Sequence, residues 1–282
     1  MVLRHPFPAE NAEAGLALLE GRAETWIGRL EGRPTALGSA LSSTLLVAQA
    51  RCLMDPRAAI YPTWDAWVTA MQVGSAVFAA ATTTETHVQC RIAHKDLTLE
   101  ATGPQPYVTP AAWVTAFYLA VVCRERDRIT ALCRVPLSLL RENGGVTQEF
   151  EYAWIETLQT YWHVQPGLPE KLTQAIEQSH PDIATNAPRD LLQCVLYPPI
   201  NLFHQFLRKD EDGFNGALAE ALELHKAYWS TPERAGDIAG FLALGPLAIA
   251  CLAYDAGLEI EVESDYLPLR LLDRSWLGEF DT

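Results

Sequence analysis

Glu177 and His180 stand three residues apart in Glu177-Gln178-Ser179-His180, a spacing that puts a carboxylate and an imidazole on one face of a helix. Two such pairs, with two further carboxylates, hold a di-metal centre in helical bundles. No second Glu-x-x-His occurs, so no metal is expected. The chain also lacks HExxH, a GxSxG nucleophile elbow, and the phosphate loops GxxxxGK[ST] and GxGxxG. His204 lies on the stripe Ile200, Phe203, His204, Leu207, and His225 on Phe214, Leu218, Leu222, His225, Trp229. Each reads as a core imidazole satisfied by a hydrogen bond, with general-base work or a pH-sensitive contact as the alternative. His180-Pro181-Asp182 reads as a helix stop, and His5, His87, His94 and His163 fall near loops or ends with no role assigned. No catalytic residue, cofactor or metal ligand is expected, and the chain reads as a non-enzyme.

Cysteine chemistry is not indicated either. Cysteines 52, 90, 123, 133, 194 and 251 form no CxxC and lie mostly in apolar surroundings. The first ten residues carry no apolar export core, so reduced, buried thiols are expected rather than a disulfide framework.

Carboxylates are the most abundant reactive groups. The 282 residues hold 35 Asp+Glu against 21 Lys+Arg, a net charge of −14. Residues 1–141 are nearly neutral, with 13 basic and 12 acidic side chains, whereas residues 142–282 have 8 basic and 23 acidic. Such a chain repels phosphate, which argues against binding nucleic acid or an anionic membrane surface. Two runs stand out as partner-binding candidates: Asp210, Glu211 and Asp212, and Glu259, Glu261, Glu263 and Asp265. The alternation Glu259-Ile260-Glu261-Val262-Glu263 predicts a short extended piece with three carboxylates on one side.

The elements that must position these groups are mostly helical. Trp64, Trp67, Val68, Met71, Ser75 and Phe78 repeat at helical spacing, as do Trp154, Leu158, Tyr161 and Trp162. Pro34, Pro56, Pro62, Pro110, Pro169, Pro188, Pro199 and Pro232 each stand where a helix could begin, and Gly144-Gly145 and Asp212-Gly213 mark breaks. The pattern predicts roughly ten to twelve helices, the first over 11–30 with Asn11 as its cap and the second from Pro34 to Met54. The exception is a β-hairpin near 87–100, with strands 87–92 and 97–100 around a His94-Lys95-Asp96 turn. The uncharged stretches 101–123 and 238–254 are interrupted by proline or glycine and read as buried helices of a soluble core, since a membrane helix needs ~20 consecutive apolar residues.

Ala66-Trp67-Val68-Thr69-Ala70 recurs as Ala112-Trp113-Val114-Thr115-Ala116, with an echo at Ala153-Trp154-Ile155-Glu156-Thr157. Tryptophan spacings of 46 and 41 residues fall in the ~34–47-residue range of helix-pair solenoids. The fold expected is all-α: stacked antiparallel helical hairpins, solenoid-like if the echo is a true repeat, in a single domain 1–282 with a subdivision near 142–148.

Four stretches carry a family resemblance: Pro62–Gly74 (PTWDAWVTAMQVG), Leu196–Phe203 (LYPPINLF), Leu224–Trp229 (LHKAYW) and Gly245–Asp255 (GPLAIACLAYD). Together they resemble the immunity 49 family of bacterial polymorphic-toxin systems, in its actinomycete form, over nearly the whole chain. The resemblance implies a mainly α-helical cytoplasmic protein that binds and neutralises a cognate toxin, and it carries over no catalytic residue. It further implies a basic toxin domain, such as a nuclease, as partner; an acidic surface can occupy a phosphate-binding cleft and steer association. Two other functions fit a helical chain without motifs. One is a helical-repeat scaffold binding another protein in a concave face. The other is a small-molecule-binding or enzymatic protein with a pocket holding His204 or His225 beside a carboxylate.

Overall fold

Prolines and short polar side chains start many of the helices in the computed structural model, which describes residues 1–6, 12–142, 147–280 and 282. Thr109 caps the helix that begins at Pro110, its hydroxyl accepting from Ala112 N–H at 3.1 Å. Asp210 caps another in the same way through Gly213 N–H at 2.9 Å. Each cap satisfies one of the backbone donors left over in a first helical turn. The expected cap Asn11 and the Gly144-Gly145 break lie outside the described residues.

The chain divides into two compact units. One comprises Ala9–Gly145 with Trp276–Thr282. It contains α1 (Ala12–Ile27), α2 (Leu37–Met54), α3 (Tyr61–Thr82), β1 (His87–Ile92), β2 (Lys95–Glu100), α4 (Pro110–Val122), α5 (Arg126–Cys133) and α6 (Leu137–Arg141). α2 packs against both α1 and α3, and α3 also against α4. Trp67, Trp113, Phe78, Phe117, Met71 and Ile92 are fully buried in this core. The tail returns to the same unit: Trp276 stacks on Trp64 with ring centroids 6.0 Å apart and donates its indole N–H to Ala58 O at 2.8 Å.

The first helix is shorter than the 11–30 expected, because the chain enters turns after Ile27. Pro34 begins a 3-10 turn, Pro34–Ala36, that leads into α2, while Pro56 and Pro232 fall in turns. The hairpin is present with a tighter turn than expected. Ala93 and His94 both take positive φ, 49° and 64°, the geometry of a two-residue turn whose twist matches antiparallel strands. Lys95 and Asp96 therefore belong to β2, paired with Ile92 and Arg91.

The other unit comprises Met1–Pro8 with Val146–Ser275. Its elements are α7 (Glu149–Trp162), α8 (Leu168–Gln178), the single turn α9 (Arg189–Leu191), α10 (Pro198–Arg208), α11 (Glu211–Trp229), α12 (Leu244–Asp255) and α13 (Leu269–Leu272). A π-helical turn, Leu192–Leu196, follows α9, and a 3-10 turn, Ile238–Phe241, precedes α12. α10 packs on α11 and α12, and α7 on α8. Phe203 is central, met edge-on by Trp154 at 5.3 Å and by Tyr161 at 5.1 Å.

The window Ile238–Asp255 has the length and hydropathy of a membrane span, yet 61% of it is buried in the fold. The break expected at Asp212-Gly213 lies inside α11. Lys209, at φ 56°, is the residue that ends α10. A side chain at Gly213 would stand 2.6 Å from the Asp210 carboxylate, so glycine there lets the cap close.

Among the described residues, two strands stand against this helical majority, so the fold is mainly α. The three echoed tryptophans are all core residues, with different partners. Trp67 donates to Cys52 Sγ at 3.2 Å, Trp113 to Leu132 O at 2.9 Å, and Trp154 meets Phe203.

Candidate functional site

Asn215 brings the two acidic runs together. It lies on α11 one turn after Glu211, and its amide nitrogen donates to Glu211 O at 3.2 Å and to Glu259 O at 2.9 Å. Its amide oxygen accepts from Glu261 N–H at 2.9 Å. One side chain thus supplies the donor and the acceptor that a neighbouring strand would offer, and residues 259–261 lie beside the first turn of α11.

Residues 258–263 have no regular secondary structure. The expected extended piece is tethered by single contacts instead. Val2 forms an isolated parallel bridge with Ser264, donating to Glu263 O at 3.0 Å, and Ser264 Oγ donates to Val2 O at 2.8 Å. The Arg4 guanidinium donates to Asp265 O at 2.6 Å.

The alternation read from the sequence holds. Glu259, Glu261, Glu263 and Asp265 are exposed, while Ile260, Val262 and Ser264 are half-buried. Glu211 and Asp212 are also exposed in the first turn of α11, where the positive end of the helix dipole favours carboxylates. Asp210 differs from the others, being half-buried with its carboxylate engaged in the cap. The face therefore presents six exposed carboxylates, with Arg4 at one edge and exposed Arg208 and Lys209 before the cap. Nothing in the sequence marks Asn215, since an asparagine inside a helical pattern gives no sign that it holds a segment 44 residues away.

The histidines lie elsewhere. His225 is 5% exposed, and its Nε2 donates to Gly240 O at 2.9 Å. Its ring packs edge-on against Tyr266 at 5.0 Å. Burial lowers its pKa to about 4, so it is neutral at pH 7. The core imidazole read from the sequence is present, and the packing of α11 under Gly240 and Tyr266 seals it. His204 is half-buried on α10.

His5, assigned no role from the sequence, is buried and stacks on Phe241 at 4.6 Å. Tyr266 Oη accepts from the His5 backbone N–H at 3.0 Å and shares a hydrogen bond with His5 Nδ1 at 2.7 Å. Burial also lowers the His5 pKa.

A cavity of about 570 Å³ lies between α8, the π-helical turn and α11, lined by His180, Cys194 and Tyr197 but by neither His204 nor His225. Burial and the nearby Asp190 charge raise the Cys194 pKa, which disfavours the thiolate a nucleophile needs. His180 is exposed at the cavity rim, 3.7 Å from Asp182. Among the described residues no group of three or more His, Cys, Asp or Glu is placed to hold a metal ion. The six cysteines are thiols, five buried and Cys194 half-buried, and burial pushes Cys133 up to about 12.

Residues 55–271 match the family model described as Immunity protein 49. No curated protein and no solved structure matches the chain. The matched span includes Asn215 and all seven candidate carboxylates.

Proposed function

Because the chain belongs to the immunity protein 49 family, we propose that it neutralises a cognate bacterial toxin by binding it stoichiometrically through the acidic face on α11 and residues 259–265. The observation that carries this reading is the Asn215 clamp, which holds the backbone of Glu259 and Glu261 beside Glu211 in the first turn of α11. A face of that charge suits a basic partner, and a toxin that cuts nucleic acid has such a surface. Occupying the cleft would exclude the phosphate substrate, and long-range attraction would speed encounter. The work would be done in the cytoplasm, where such a toxin finds its target.

Neutralisation by occupation needs no chemistry from the inhibitor. The sealed, neutral His225 and the buried thiols are consistent with a body that serves stability, leaving recognition to the surface.

Co-expression tests the reading. Cells carrying the toxin encoded beside this gene should survive when the wild-type chain is present. The charge-reversed chain E259K/E261K/E263K should protect poorly, and its association rate with the purified toxin should fall at least ~tenfold at low salt. Lack of protection by the wild-type chain against every adjacent toxin candidate would sink the proposal. Full protection by the charge-reversed chain would move the docking face elsewhere.

A further inference from the structure

The near-neutral half of the chain holds a second concentration of carboxylates, inside a cleft rather than on an open face. α1, α2, α3 and the hairpin turn enclose a cavity of about 370 Å³. This is at the small end of the ~300–1,000 Å³ that binding pockets span. Its walls divide by chemistry. Ala23, Ile27, Val47 and Ala66 give an apolar passage, while Glu20, Glu24 and Asp65 line the same space with Arg51 as the one cationic side chain.

The charges are unevenly matched. Arg51 is paired with Glu20. Asp65 is paired with His94 Nε2 at 2.7 Å and accepts from the Tyr61 hydroxyl at 3.3 Å. Glu24 is exposed and makes no ion pair among the described residues. Three carboxylates thus share one guanidinium and one imidazole, and Glu24 is the carboxylate left over. The positions are well fixed: Gln72 Oε1 accepts from Ala93 N–H at 2.9 Å, holding the hairpin turn that carries His94 against α3.

An apolar passage with carboxylates in excess of cations suits a cation on an alkyl stem. Lysine and arginine side chains bury their methylenes against apolar surface and keep the charged head among acceptors. We propose that this cleft receives an arginine or lysine side chain of the protein partner, the methylenes along Ala23, Ile27 and Ala66 and the cationic head between Glu24 and Asp65. The proposal rests on the reading above only in naming a toxin as the source of that side chain. It adds a contact in the unit that lacks the acidic face.

The test has two arms. In the first, n-butylguanidinium and its neutral isostere n-butylurea are titrated into the full-length protein at low ionic strength, followed by backbone amide NMR shifts. Saturable shifts at Glu24, Ala66 and Ala93 are expected with the guanidinium, with the urea at least about fivefold weaker. E24Q should weaken guanidinium binding about threefold, and A66L, which narrows the passage, should abolish it while circular dichroism reports an intact fold. Absence of saturable shifts at the cleft, equal binding of the urea, or E24Q indistinguishable from wild type would overturn the proposal.

In the second arm, E24Q and A66L are assayed against a toxin that the wild-type chain neutralises. Weakened binding by both variants supports the cleft as a partner contact. Unchanged binding overturns that role and leaves the toxin reading intact. Failure of the wild-type chain to neutralise any adjacent toxin overturns the toxin reading and, with it, a toxin as source of the side chain.

Discussion

The amide oxygen of Asn215 accepts a 2.9 Å hydrogen bond from the backbone N–H of Glu261. Replacing Asn215 with alanine removes this bond and the donations to Glu259 O and Glu211 O without changing any charge. Net stability should fall by about 1–2 kcal/mol. Amide exchange at Glu261 should accelerate at the same time, because a tethered but irregular segment opens locally once its clamp is gone. Hydrogen-exchange mass spectrometry with urea titration checks both. If the acidic face binds the toxin, N215A should also bind more weakly although all six exposed carboxylates remain.

Stability should depend on pH through His225. Its folded pKa of about 4 lies below the ordinary 6.5, so between these values the unfolded chain binds a proton that the folded chain does not. The slope of unfolding free energy with pH is therefore positive there: stability is complete above pH 6.5 and declines as pH falls toward 4. The loss approaches roughly 3 kcal/mol from this group, with His5 adding in the same direction because burial lowers its pKa too. Urea midpoints measured across this range should fall, and H225Q should flatten the profile.

Gly240 has no room for a side chain. A Cβ there would stand 2.7 Å from the Trp229 indole, and the Gly240 carbonyl holds His225. G240A should shift the 3-10 turn and destabilise the protein by about 1–3 kcal/mol, read as a lower thermal midpoint.

Trp276 ties the C-terminal tail to its unit through the Trp64 stack and the bond to Ala58 O. W276A should cost about 2–4 kcal/mol, combining lost aromatic burial with an unsatisfied carbonyl. W276F retains most of the apolar contact and should cost less. Calorimetry on the full chain distinguishes the two.

Much of the secondary structure was legible in the sequence because it depends on neighbours close along the chain. The tryptophan stripe 64–78 is α3, and Pro110 begins α4. The hairpin is visible in its alternation, although its turn is not: that Ala93 and His94, rather than His94 to Asp96, make the reversal depends on positive φ at both, which alanine rarely adopts. The same local logic misplaced a break at Gly213, since a glycine that relieves a close contact looks like one that ends a helix.

The carboxylate alternation at 259–263 was equally legible, because exposure follows a period of two wherever a segment lies extended over a core. Its position beside the first turn of α11 was not. That depends on Asn215 reaching across 44 residues of sequence, and on Val2 and Arg4 returning from the other end of the chain to residues 263–265.

His5 illustrates the same division. Nothing near it in sequence is a core pattern, yet Phe241 and Tyr266 bury it. The sequence by itself determined a mainly helical body, the family, and an acidity confined to residues 142–282. Tertiary structure decided which carboxylates share a face, which histidine is sealed and neutral, and that Glu20, Glu24 and Asp65 line one cleft. Periodicity and charge are local or summed properties of a chain, whereas a site is a set of distances between residues far apart in it, and only packing sets those.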